Sequence, residues 1–130
     1  MHPGPNDQYG VVQFTVPANG YYDIHGTFEG LDPGTNTQVD LLWDNAPVLP
    51  FANVLGFGPP SDKTLSFGPV LLNAGETFAF AVGGNYGGGS TGLLPGAGVD
   101  AVSVPEPSSP ALLGLAVLSF AAYRLRRRLV

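Results

Sequence analysis

The chain has 130 residues, of which 44% are hydrophobic and 12% charged, and its formal net charge at pH 7 is −5. This length allows one modest domain with a single core. The acidic balance disfavours nucleic acid as a partner, because phosphate backbones are repelled. There is no cysteine, which excludes disulfides and thiolate metal sites.

Three strands are predicted in the first third of the chain, each by apolar residues that alternate with polar ones. The apolar sets are Val12, Phe14 and Val16 in the first strand, Tyr22, Ile24 and Phe28 in the second, and Val39, Leu41 and Trp43 in the third. Asn19 and Gly20 both tolerate positive φ, so we expect a tight hairpin between the first two strands.

The middle of the chain is less regular, because four prolines between residues 47 and 60 break any long ladder and predict only a short edge strand near Val48 and a loop. Further strands are predicted from Leu65 to Leu72, around Phe78, Phe80 and Val82, and from 99 to 104, with a turn at 73–75. About six strands, and no helical period before Ala111, predict an all-β fold. We expect an antiparallel β-sandwich of jelly-roll type over residues 1–103.

The charges are distributed unevenly along the chain. All ten acids lie at or before Glu106, whereas four of the five basic residues are the arginines at 124, 126, 127 and 128. Between these groups, residues 111–123 read "ALLGLAVLSFAAY" and carry no charge. A helix of that length covers about 20 Å, short of the roughly 30 Å hydrocarbon core.

Extension of this helix to Ser108, with the arginine stems reaching the headgroups, brings it near a spanning length. The sequence therefore predicts a linker, one C-terminal transmembrane helix at about 108–123 and a basic tail at 124–130. The positive-inside rule places Arg124, Arg126, Arg127 and Arg128 in the cytoplasm and the body outside. A buried amphipathic helix is the alternative, which the lack of a polar face disfavours.

The order "VPEP", "ALLGL" and "RLRRR" resembles the PEP-CTERM sorting signal of bacterial surface proteins, and we interpret 104–130 as such a segment. The resemblance implies that Pro105, Glu106 and Pro107 are the recognition motif for an exosortase, a membrane-embedded enzyme that would release the body from its helix. It also implies a link to exopolysaccharide and biofilm production in Gram-negative bacteria. The two prolines favour an extended segment, which a processing enzyme can grip.

The segments "ANGYYDIHGTFEGLD" and "AGETFAFAVG" make the body similar to an exported β-sandwich domain found before PEP-CTERM tails. Such proteins normally begin with a signal peptide. The start "MHPGPNDQYG" has no basic residue, apolar run or cleavage site typical of one. We therefore expect a truncated gene model in which one or two strands are absent at the N-terminus.

The sequence offers little for catalysis or metal binding. The only histidines are His2 and His25, too few for a two-histidine metal site or a Ser-His-Asp arrangement to be proposed. The oxygen-bearing side chains of Asp40, Asp44, Asn45 and Asp62 fit no EF-hand spacing, and we interpret them as solvated. We expect no enzyme activity, no metal and no cofactor.

Aromatic side chains could instead form a platform for sugar rings. Trp43 falls in register with Val39 and Leu41, which favours the core. Tyr21 and Tyr86 remain as exposed candidates for ligand binding.

Two functional classes follow from these observations. We favour a non-enzymatic exported protein whose partners are an exosortase and the bacterial inner membrane, with extracellular polysaccharide as a further candidate partner. It would reach the outer surface or extracellular matrix after processing. The alternative is a single-span membrane-anchored module that keeps its tail and binds carbohydrate or another ligand.

Overall fold

A computed structural model of the chain describes residues 1–6, 8–103, 114–120 and 123. Its regular structure before residue 103 consists of strands, and residues 114–120 are helical. The strands are β1 (Gly10–Thr15), β2 (Gly20–Gly30), β3 (Asn36–Trp43), β4 (Ala46–Pro47), β5 (Ala52–Leu55), β6 (Gly58–Leu72), β7 (Thr77–Gly83), β8 (Thr91–Leu93) and β9 (Gly98–Val102).

The strands form two antiparallel sheets. In sheet A the order is β1-β7-β3, and both β4 and β5 pair with the far edge of β3. In sheet B, β6 pairs with one edge of β2, while β8 and β9 share its other edge. The long strand β2 therefore lies at the centre of sheet B and spans its whole length.

The core lies between the two sheets, where the side chains of β2, β3 and β7 meet. The large buried apolar residues of these strands are Tyr22, Ile24, Phe28, Val39, Leu41, Phe78, Phe80 and Val82. They are the residues whose alternation predicted the strands, so that prediction is confirmed. Gly26 lies on the same face of β2, and a Cβ atom built there would be 2.6 Å from Cε1 of Phe80. The absence of a side chain at Gly26 therefore lets the two sheets approach.

The hairpin predicted at Asn19 and Gly20 is wrong, because β1 and β2 belong to different sheets. Residues 16–19 cross between the sheets. The backbone of Val16 still bonds to the chain before β7, since its N–H donates to the Glu76 carbonyl at 2.8 Å. The Tyr22 hydroxyl then donates to the Ala18 carbonyl at 2.8 Å and holds the crossing.

The middle of the chain contains more strand than its prolines predict. A short edge strand is present as β4, but β5 and β8 were not expected, and β6 begins at Gly58 rather than near Leu65. Pro59, Pro60 and Pro69 lie within β6. Among the described strands it pairs with β2 alone, so its other edge has no described ladder that a proline could interrupt.

The all-β, antiparallel part of the predicted fold class is confirmed, whereas the strand order does not establish jelly-roll connectivity. Within the described ranges, no helix has both the length and the apolar character needed to cross a membrane. Only part of the predicted span 108–123 is described. The transmembrane helix thus stays a prediction.

Candidate functional site

The last strand leads directly to the predicted sorting segment. Strand β9 pairs with the first half of β2, from His25 opposite Gly98 to Tyr21 opposite Val102. Val99 is half-buried against the core, which ties the strand to the body. The strand ends at Val102, so only Ser103 and Val104 separate it from Pro105 in the sequence.

The sorting residues themselves lie outside the described part of the chain. This holds for Pro105, Glu106 and Pro107, and for the four arginines of the tail. Their roles rest on the sequence, whereas the structure describes the end of β9, which precedes them in the chain.

The outer face of sheet B carries apolar side chains beside the end of β9. Tyr21 opposes Leu71 of β6 on one side and Val102 of β9 on the other. Directly opposed side chains of antiparallel strands lie about 5 Å apart at Cβ, so the three form one continuous apolar row. We call Tyr21, Leu71 and Val102 the junction row. Tyr21 is 43% exposed and Leu71 57% exposed.

Sequence reasoning singled out Tyr21 but missed its two neighbours. A signal for Leu71 was available, because consecutive side chains of a strand point to opposite faces. Leu71 and Leu72 therefore cannot both face the core. Leu72 is fully buried, and Leu71 points out.

Carboxylates border the junction row on the same face. Asp23 opposes Asp100 one step further along β2 and β9, and both are exposed. The next outward residue, His25, places Nε2 3.6 Å from Oδ2 of Asp100. A polar contact so exposed to solvent contributes little to stability. The rim of the row is therefore polar and mainly acidic.

The second tyrosine candidate lies elsewhere. Tyr86 belongs to the loop between β7 and β8, where its ring packs edge-on against His2 with centroids 5.5 Å apart. This loop is held beside Asn36, since the Asn36 N–H donates to the Gly88 carbonyl at 2.7 Å. Asn36 follows the carboxyl end of β2, whereas Tyr21 lies at its amino end. Both tyrosines are exposed as expected, but they do not form one platform.

Trp43 packs against the core, as its register predicts. Its ring stacks on Phe78 with centroids 5.5 Å apart and lies 6.3 Å from Phe67 of sheet B. It is half-buried, so it bridges the two sheets at the end where the β3–β4 turn begins.

One of the four oxygen-bearing residues departs from the solvated interpretation. Asp40 is only 7% exposed, because it lies in β3 between β7 and the β4 and β5 edge. Burial raises the pKa of the Asp40 carboxyl above its ordinary value of 3.8. Asp44 is exposed, and its Oδ1 accepts hydrogen bonds from the Thr77 N–H at 2.8 Å and the Thr77 hydroxyl at 3.1 Å. Nowhere in the described ranges do three acidic or histidine side chains group as a metal site.

Comparison with known families identifies the segment that follows β9. Residues 103–128 match the model of the PEP-CTERM protein-sorting motif. No curated protein and no solved structure gives a significant match to the chain. The match begins one residue after the end of β9 and covers Pro105, Glu106 and Pro107. The chain therefore carries a PEP-CTERM sorting segment, which implies a protein that is exported and is processed at the membrane by an exosortase.

Proposed function

We propose that the chain is a non-enzymatic exported protein whose β-rich body is delivered to the bacterial surface or extracellular matrix after an exosortase removes its tail. The observation that carries this proposal is the match of residues 103–128 to the sorting motif. That match starts where the folded body ends at Val102.

The position of the motif supports release of an intact body. All strands described before residue 103 end at or before Val102, so cleavage at the motif would remove none of them. From the sequence, two prolines around Glu106 favour extended conformations, which suit the binding cleft of a processing enzyme.

The charge distribution supports export of the body. Residues 1–123 carry ten acids and one lysine, whereas the four arginines lie beyond them. Arginines on the carboxyl side of an apolar segment favour retention of that side in the cytoplasm. The body would then lie on the outer side of the inner membrane, attached through residues 108–123 until processing.

An association with extracellular polysaccharide forms the finer part of the proposal. Tyr86 is 56% exposed and offers a phenol ring for packing against a sugar. Tyr21 offers a second such ring beside Asp23 and Asp100, whose carboxylates could accept bonds from hydroxyl groups. A glycan array of matrix polysaccharides tests this part, and Tyr86→Ala would reduce any signal that depends on that ring.

Mass spectrometry of the protein isolated from its native cells tests processing. We expect the mature product to lack everything beyond the region of Pro105 to Pro107. Replacement of these three residues by alanine should leave the tail attached. A matched triple-alanine change at 108–110, just past the motif, should leave processing in place. An unsubstituted protein that keeps its complete tail would contradict the proposal and favour a stable membrane anchor.

A further inference from the structure

We infer that the junction row of Tyr21, Leu71 and Val102 is a docking surface for the exosortase, so that the enzyme reads the folded body as well as the motif. This inference rests on the proposed processing. It assigns a recognition role to a surface that the motif does not include.

The short distance between body and motif is the first step. Three Cα-to-Cα steps lead from Val102 to Pro105, and a fully extended chain of that length spans at most about 11 Å. That is about the width of one helix with its side chains. An enzyme that holds Pro105 to Pro107 in a cleft must therefore lie against the end of the body from which β9 emerges.

Detachment of β9 would lengthen the linker, but its contacts oppose this. The strand forms five consecutive pairs with β2, and Val99 packs against the core. Each lost hydrogen bond and each apolar side chain exposed to water costs free energy. Contact between the enzyme and the surface beside β9 requires no such loss.

The chemistry of that surface suits a protein partner. Isolated exposed apolar side chains are common, but here the exposed Tyr21 and Leu71 lie beside each other and beside the half-buried Val102, on the adjacent strands β6, β2 and β9. An aromatic residue at the centre of an apolar patch with a polar rim is the usual composition of a protein–protein binding site. Tyr21 occupies that central position.

Charge argues against the lipid surface as the occupant. Asp23 and Asp100 border the row, and the body as a whole is strongly acidic. Anionic phospholipid headgroups would repel this rim. A protein with an apolar recess and basic groups around it would be complementary to it.

The test uses the full chain, expressed from its own gene in native cells. Tyr21→Ser combined with Leu71→Ser removes most of the row without touching the motif. We expect the rate of tail removal in a pulse-chase experiment to fall about tenfold, as loss of a contact hot spot would cause. The matched control is Leu55→Ser with Phe57→Ser, which are 59% and 61% exposed and flank Gly56, next to Gly30 at the opposite end of β2. The control should be processed at the unsubstituted rate.

A second variant separates docking from a folding defect. Insertion of about 30 Gly and Ser residues between Ser103 and Val104 loosens the coupling between body and motif, because effective concentration falls with linker length. With the insertion, the rate of tail removal should differ by less than about twofold between the chain with the intact junction row and the chain with Tyr21→Ser and Leu71→Ser.

Two results would overturn the inference. One is processing of the Tyr21 and Leu71 variant at the unsubstituted rate. The other is a persistent tenfold defect in the presence of the insertion, which would place the effect in folding, export or lipid contact. Failure of the proposed processing can be told apart from failure of the docking inference, because in the first case even the unsubstituted chain would keep its tail.

Discussion

At the scale of single residues, Gly26 sets the distance between the sheets at the centre of the core. The ring of Phe80 lies over it and also packs edge-on against Phe14 and Phe28. Gly26→Ala would place a methyl group 2.6 Å from Cε1 of this fully buried ring. We expect the free energy of unfolding to fall by about 1–3 kcal/mol, as for other overpacked cores.

Urea unfolding followed by the fluorescence of the single tryptophan, Trp43, measures this change. Gly34→Ala is the matched control, because no heavy atom beyond its two chain neighbours lies within 4 Å of its Cβ position. That control should be neutral or stabilising by about 0.5 kcal/mol, since it restricts the unfolded chain. Equal effects at the two glycines would contradict the packing argument.

Asp40 makes stability depend on pH in a defined direction. Because burial raises its pKa in the folded state, folding favours the protonated carboxyl. Stability from this group is therefore full below its ordinary pKa of 3.8 and is lost as the pH rises through the higher folded value. Asp40→Asn keeps the shape and removes the charge, so we expect it to raise the urea midpoint at pH 7.

The advantage of Asp40→Asn should shrink as the pH is lowered towards 3, where the native carboxyl is neutral in both states. Asp62→Asn, on an exposed position of β6, provides the comparison and should have little effect at either pH. A lower midpoint for Asp40→Asn at pH 7 would mean that the Asp40 carboxylate has a stabilising partner, against our expectation.

At the scale of elements, the β3–β4 hairpin combines two turn residues with positive φ and hydrogen bonds to the Asp44 carboxylate. Asp44 and Asn45 have φ values of 46° and 67°, the left-handed conformations that tight two-residue hairpins require. The hydrogen bonds that Asp44 accepts from Thr77 also attach this turn to the start of β7.

Asp44→Ala removes those bonds and places alanine at positive φ, so we expect a loss of about 1–2 kcal/mol in unfolding free energy. The same urea experiment measures it. Asp62→Ala removes an exposed carboxylate of equal charge and should change stability by less than about 0.5 kcal/mol. Similar losses for the two variants would show that charge, not the turn, is responsible.

The sequence predicted the strands in which large apolar side chains alternate with smaller or polar ones. In β2, β3 and β7 the large apolar side chains pack in the core as expected, although β7 is also buried on its other face at Ala79 and Ala81. Strand β8 has three residues, too few for a period to be recognised. The early start of β6 was not predicted because Pro59 and Pro60 suggested a loop. Proline is tolerated in an edge strand, but whether a strand lies at an edge depends on the whole sheet and not on the local sequence.

The predicted hairpin between β1 and β2 was wrong for a different physical reason. Asn19 and Gly20 fit a turn, but turn residues do not specify whether the chain returns to the same sheet or crosses to the other one. Partner choice depends on β7, about 60 residues further on. The candidate site illustrates the same point. The sorting motif is a contiguous segment that the sequence alone reveals, whereas the junction row exists only because the fold brings residues 21, 71 and 102 together.

At the scale of the whole molecule, the two-sheet body and the sorting segment meet at β9. This strand is the last described part of the body, and the match to the sorting motif begins one residue after it. If processing yields a stable product, β9 must belong to the body and contribute to its stability.

Two shortened chains test this division. A chain that ends at Ser103 keeps β9 and should unfold in urea with nearly the same midpoint as the full chain. A chain that ends at Ala97 loses five residues paired with β2 and the contact of Val99 with the core. We expect that loss to cost at least about 3 kcal/mol, since backbone bonds and apolar burial are removed together. Equal midpoints would mean that β9 belongs to the tail, and the junction row would then lack its third strand.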